Sequence, residues 1–114
     1  MSIQRCLPES NLFNRDLDGE VELFKALGDS ARIAIIATLA RAEHAVCVCD
    51  FTSGLDLNQS TVSHHLKLLK DAGLVTSMRR GTWGYYALAP GARERFEAAL
   101  AIVLPAPHGA RAPR

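Results

Sequence analysis

Between Asn58 and Leu88 the spacing of apolar residues changes period once, and that change limits the folds open to the chain. Val62, Leu66 and Leu69, with Leu68 beside them, recur every three to four residues and stop at Gly73, the pattern of one helix face closed by a glycine. From Leu74 the period becomes two. Leu74, Thr76 and Met78 alternate with Val75, Ser77 and Arg79, Arg80-Gly81-Thr82 supplies a turn, and an aromatic-rich run follows through Trp83, Tyr85 and Tyr86. A capped helix running straight into a β-hairpin is the outcome this pattern predicts.

The rest of the chain is helical by the same test. Leu17, Val21, Phe24 and Leu27, with Leu23 beside them, predict a first helix over 16–27, closed by Gly28. Asp29 or Ser30 caps a second, where Ile33, Ile36, Ala37 and Ala40 with Ile35 and Leu39 make a stripe so wide that nearly all of it is expected in the core. A short third helix is predicted over 46–55, and Asn58 caps a fourth over 59–72. A last amphipathic helix over 92–103 sets Phe96, Leu100 and Val103 on one side, with Ala99 adding little bulk.

Residues 1–15 carry Pro8, Ser10, Asn11 and Asn14 without periodicity, and 105–114 hold three prolines. The expectation is a flexible arm over 1–15, one domain over 16–104 and a disordered tail over 105–114. With 114 residues and 48% apolar content, one such domain can bury a core without disulfides or a structural metal. The fold class is therefore mainly α with a small β-hairpin, and the element order is that of a winged helix-turn-helix.

Several functions are excluded at this level. The longest apolar run, 33–40, is eight residues between Arg32 and Arg41, far short of a membrane span. The first ten residues contain Arg5 and Glu9 and no apolar stretch of signal-peptide type, so a soluble cytoplasmic protein with no membrane partner is expected. The chain has no glycine-rich phosphate loop, no paired-carboxylate motif and no cysteine–histidine arrangement beyond His44, which argues against an enzyme.

The net charge of +1 conceals an asymmetry. Residues 1–55 carry five Lys and Arg against eight Asp and Glu, whereas 56–114 carry eight against four. A polyanionic partner is expected to meet the second half. There the fourth helix presents Gln59, Ser60, Thr61, Ser63, His64, His65 and Lys67, a polar face without acids that suits base edges and phosphates in the major groove of double-stranded DNA. Arg79 and Arg80 beside Gly81 place two guanidiniums at the hairpin tip, where they can straddle a phosphate backbone or enter a minor groove. With about eight phosphate contacts in a dimer, log affinity should fall with log salt with a slope of about −7. Trp83, Tyr85 and Tyr86 are expected to pack on the core rather than on bases.

Three cysteines, Cys6, Cys47 and Cys49, are an odd number, better suited to reactive or ligating thiols than to a disulfide framework. Cys47-Val48-Cys49-Asp50 is the sharpest chemical feature. On a regular helix two such sulfurs lie about 200° apart, so one ion holding both would distort the start of the third helix, the support of the fourth. A helix N-terminus also favours the thiolates that soft metals need. The same constraint suggests that this pair does not readily form a disulfide with itself, so that oxidation would require Cys6.

The chain resembles the ArsR/SmtB family of metal-sensing repressors, its arsenic-repressor branch in particular. The resemblance is carried by Leu23-Phe24-Lys25-Ala26-Leu27-Gly28-Asp29, Cys47-Val48-Cys49-Asp50, Gln59-Ser60-Thr61-Val62-Ser63-His64-His65-Leu66, Leu69-Lys70-Asp71-Ala72-Gly73-Leu74-Val75 and the run from Arg80-Gly81-Thr82-Trp83 to Tyr86. It implies a homodimer, paired through its first and last helices, that binds operator DNA and is released by a toxic ion. It also implies that the Cys-Val-Cys-Asp motif supplies thiolates for As(III) or Sb(III), or for Cd(II) or Pb(II), with no organic cofactor.

Two departures matter. Ala45 and Val46 stand where Glu and Leu often precede the motif, and Thr52 stands where some arsenic repressors carry a third cysteine. Trivalent arsenic prefers three thiolates, and Cys6 is the one remaining in the chain, so the expected ligand set is Cys6, Cys47 and Cys49, with Cys6 from either subunit. A fourth ligand from His44, or a carboxylate and histidine site on the last helix with Glu94, Glu97 and His108, is disfavoured. A Cd(II)- or Pb(II)-responsive repressor and a thiol redox sensor are the alternatives.

Overall fold

The computed structural model describes residues 13–107. Cys6, His108, most of the predicted arm and the tail beyond Pro107 lie outside the described residues. The elements run α1 (Asp18–Ala26), α2 (Ser30–Arg41), β1 (Val46–Cys47), α3 (Val48–Leu55), α4 (Gln59–Asp71), β2 (Val75–Arg80), β3 (Trp83–Leu88) and α5 (Ala92–Val103).

Local chemistry sets the boundaries around α4. Asp56 ends α3 in the left-handed region at φ 54°, a conformation that aspartate tolerates better than bulkier residues. Asn58 is extended, and its side-chain oxygen accepts the Thr61 N–H at 2.9 Å and the Ser60 hydroxyl at 2.9 Å, which satisfies a donor left over at the helix start. At the other end Gly73 takes φ +78°, its N–H donates to the Lys70 carbonyl at 2.9 Å, and the Leu74 N–H donates to Leu69 at 3.0 Å. This pair of bonds is a Schellman closure, and the fully buried Leu69 and Leu74 supply its apolar contact.

The chain leaves that closure directly into the hairpin. β2 and β3 pair antiparallel with Thr76 opposite Ala87, Met78 opposite Tyr85 and Arg80 opposite Trp83. β1 adds a third strand on the free edge of β3, in the order β1-β3-β2, with Val46 opposite Tyr86 and Cys47 opposite Tyr85. The core gathers Leu23 of α1, Ile35 and Leu39 of α2, Val48 and Phe51 of α3, and Val62, Leu66 and Leu69 of α4 under Leu74 and Val75. Burying each of these large side chains contributes about 1.5–3 kcal/mol, so α4 is held by its apolar face while its polar face stays in water.

Three expectations are corrected. Residues 46–47 are a strand and not the first turn of a helix, because the exposed edge of β3 offers them ladder partners. Ile33 is exposed, so α2 buries one stripe, Ile35 and Leu39, and not nearly its whole surface. α5, for which the sequence set only a common side, buries the small Ala92 and Ala99 and turns Leu100 and Val103 outward. Tyr85 and Tyr86 pack against the core as expected, but Trp83, beside the turn, is half exposed.

Candidate nucleic-acid interface and thiol site

α4 stands on the surface with Gln59, Ser60, Ser63, His64 and Lys67 exposed and Thr61 half-buried. This is the polar face read from the sequence. Two members carry constraints that spacing did not show. Ser60 is held to the cap residue Asn58. Lys67 pairs with Asp71 one turn later at 2.9 Å, both largely exposed, an ion pair that water screens and that leaves the ammonium able to turn to a phosphate.

The seventh member, His65, turns inward. Its side chain is 12% exposed, its Nε2 lies 3.8 Å from Oδ1 of Asp29, and its Nδ1 lies 3.1 Å from Nη1 of Arg32. Arg32 also donates from Nε to the Ala26 carbonyl at 2.7 Å. The sequence carried a signal for this: positions 62, 65, 66 and 69 share one helix face, and the other three are core.

The wing is tied to the same helix. Lys70 of α4 donates to the Ser77 hydroxyl of β2 at 2.8 Å. Arg79 and Arg80 are exposed near the turn, with Arg79 Nη1 reaching the Thr82 carbonyl at 3.4 Å and Arg80 lining a cleft with His44, Met78 and Tyr85. Adjacent strand residues point to opposite sides, so the two guanidiniums lie on either flank of the hairpin. A polar helix face and two flanking cations form a surface able to follow a groove and its phosphates.

The thiols occupy the opposite end of α3 from the helix turn. Cys47 ends β1 with extended backbone at φ −68° and ψ 143° and is the cap residue of α3, while Cys49 lies in its first turn. The Cys49 N–H donates to Sγ of Cys47 at 3.3 Å, and the two sulfurs are joined as a disulfide across a Cα–Cα distance of 5.2 Å. This corrects the expectation that the pair resists bonding to itself. That expectation assumed both residues on a helix, whereas the strand-to-helix junction brings both sulfurs to one side. Cys47 is buried and Cys49 exposed. Among the described residues no group of three or more histidine, cysteine or acidic side chains is arranged to hold a metal ion, and Cys6 lies outside them.

A third feature is apolar. Leu17, Val21 and Phe24 of the α1 region and Ile102 and Val103 of α5 line one open groove, with Val21, Phe24, Leu100 and Val103 all exposed. No helix among the described residues is long and apolar enough to cross a membrane.

Comparison with known proteins places these features in a family. Residues 29–77, which span α2, β1, α3, α4 and the start of β2, match the model described as bacterial regulatory protein, arsR family. A putative arsenical resistance operon repressor of Halobacterium salinarum is 35% identical over 81 residues, covering 71% of this chain and 68% of that one. The arsenical resistance operon repressor of Bacillus subtilis is 46% identical over 65 residues, covering 57% and 61%. Among solved structures, the homodimeric winged helix-turn-helix DNA-binding domain of a possible ArsR-family transcriptional regulator from Mycobacterium bovis superposes with a TM-score of 0.63 at 30% identity, covering 86% of this chain and 89% of that one. With this element order and these relatives, the chain belongs to the arsR family of bacterial regulatory proteins, winged helix-turn-helix DNA-binding transcriptional regulators and not enzymes.

Proposed function

We propose that this chain is a cytoplasmic, metalloid-responsive repressor that binds operator DNA as a homodimer through Gln59, Ser60, Thr61, Ser63, His64, Lys67, Arg79 and Arg80, and leaves it when As(III) or Sb(III) is held by Cys47, Cys49 and Cys6. The observation that carries this reading is the position of Cys47. It pairs with Tyr85 of the wing strand β3 and caps α3, and α3 packs on α4. A change of geometry at this one residue therefore reaches both elements that meet DNA.

The donor set fits the inducer. Two soft sulfurs on one side of a strand-to-helix junction suit a thiophilic ion, and the third is Cys6. Binding requires the dithiol form, reached when the Cys47–Cys49 bond takes up two electrons and two protons from a thiol reductant; each thiol then gives up its proton on ligating. Holding both sulfurs at ligand spacing pulls on the cap of α3, and through it on the seating of α4. The dimer is supported by the exposed apolar groove between α1 and α5 and by the homodimeric relative from Mycobacterium bovis.

The test uses the reduced protein on a duplex captured from its source genome. Release is followed by fluorescence anisotropy during titration with arsenite, antimonite, cadmium, lead or zinc. Release by arsenite or antimonite at the lowest concentration is the expected result. Release at lower cadmium or lead concentrations would reassign the ion. The bonded sulfur pair favours a second reading, thiol redox sensing, in which a peroxide releases the DNA without any metal and a dithiol restores binding.

A further inference from the structure

The contact between Arg32 and His65 joins two residues 33 positions apart and gives the imidazole a role other than reading DNA. A guanidinium has donors only. With Arg32 Nη1 at 3.1 Å, Nδ1 of His65 must be the acceptor, so the ring is neutral and its proton sits on Nε2. The Nε2–H side lies 3.8 Å from Oδ1 of Asp29, the same oxygen that accepts the Ala31 N–H at 2.8 Å and caps α2. Arg32 is fixed in turn by its bond to the Ala26 carbonyl at the end of α1. One imidazole in the middle of α4 is therefore clasped to the junction between α1 and α2.

We propose that His65 is a positioning residue: as the Nε2–H tautomer it accepts from Arg32 and seats α4 at the angle DNA requires, and taking up a proton breaks this clasp and lowers DNA affinity. In the imidazolium both ring nitrogens are donors. Nδ1–H then meets the guanidinium, donor against donor and cation against cation, while Nε2–H is drawn toward Asp29. Glu22 and Lys25 of α1 and Asp71 of α4 share a cleft with Arg32, and the ring of His64 stands 6.3 Å away on the exposed side. Protonation of His64 adds positive charge to the outer face and strengthens DNA binding, the opposite sign. The inference rests on α4 meeting DNA and is independent of the thiols.

The test compares wild type, His65→Asn and His65→Leu on a duplex selected by the wild-type protein from a random pool. Asparagine keeps an acceptor near the position of Nδ1 and does not titrate; leucine removes it. At about pH 7.5 His65→Asn should bind within about twofold of wild type and His65→Leu about tenfold more weakly, the loss of one bond to a charged group. As pH is lowered, wild-type affinity should fall relative to His65→Asn, since all three proteins carry His64 alike. Long-range nitrogen–proton spectra of the free wild-type protein should show Nε2 protonated and Nδ1 bare. A spectrum with the proton on Nδ1 overturns the proposal whether or not α4 binds DNA. So does a folded His65→Asn protein as weak as His65→Leu, or a wild-type pH profile parallel to that of His65→Asn. If His65→Leu does not fold, the tautomer and the Asn comparison decide alone.

Discussion

Cys47 and Cys49 differ in backbone, burial and role although one residue separates them: Cys47 closes a strand and is 6% exposed, Cys49 lies in the first turn of a helix in contact with solvent, and the Cys49 N–H donates to the Cys47 sulfur at 3.3 Å. Replacing either by serine therefore has unequal costs. In the reduced protein, where neither change also removes the Cys47–Cys49 bond, Cys47→Ser puts a hydroxyl into the core beside Tyr85 and should lower stability by about 1–3 kcal/mol, whereas Cys49→Ser should stay within about 0.5 kcal/mol. Both should abolish release by arsenite, and Cys49→Ser should keep the wild-type affinity for DNA. Chemical denaturation with anisotropy on the same samples checks both statements, and equal destabilisation by the two changes would contradict the strand-to-helix assignment.

Asp29 links stability to pH. Its carboxyl lies below the usual carboxylate range, first because it accepts the Ala31 N–H, which outweighs the desolvation that opposes it; the Arg32 N–H and the nearby His65 and Arg32 side chains act in the same downward direction. A depressed folded pKa gives stability that is present above the ordinary carboxylate range and is lost as pH falls through the folded value. The substitution Asp29→Asn keeps the capping acceptor but not the charge.

The expected outcome for Asp29→Asn is a lower melting temperature than wild type near neutral pH and a difference that shrinks as pH falls toward about pH 3. Thermal melts across that range measure it. A constant difference at every pH would place the effect in the cap geometry and not in the charge.

The helices, the hairpin and the cap residues Asn58 and Gly73 were legible in the sequence because their causes are local: apolar spacing, one side-chain acceptor, one left-handed glycine. β1 was not, since two residues become a strand only where β3 leaves an edge, and 46–47 carry no strand signal of their own. The same gap hid the geometry of the thiols, because the angle assumed between Cys47 and Cys49 held for a continuous helix. His65 was half legible. Its place beside Val62, Leu66 and Leu69 pointed inward, but the partner of its part-buried ring nitrogen, Arg32, is 33 residues away.

On the wing, Arg79 and Arg80 stand on opposite flanks of a hairpin that Lys70 and Ser77 tie to α4. If both meet phosphates, each alanine replacement removes one contact per subunit. For a dimer the slope of log affinity against log salt should then shallow by about two per replacement. Binding measured over a salt series checks this, and an unchanged slope for Arg79→Ala would confine that guanidinium to its bond with the Thr82 carbonyl.

Along the apolar groove between α1 and α5, Val103 is 57% exposed and Phe24 37% in the isolated chain. Val103 contributes little to the folding of one chain, and a charge there should change the stability of a monomer by no more than about 0.5 kcal/mol. In a two-fold interface the same change is counted twice and buries two like charges against an apolar surface. Val103→Glu should therefore sediment near the 12.4 kDa of one chain where wild type sediments near twice that mass. Its melting temperature should not rise with protein concentration as that of a dimer does. Affinity for the selected duplex should fall because each domain then holds one half-site without its neighbour. A Val103→Glu protein that stays dimeric would move the interface elsewhere and leave this groove for another occupant.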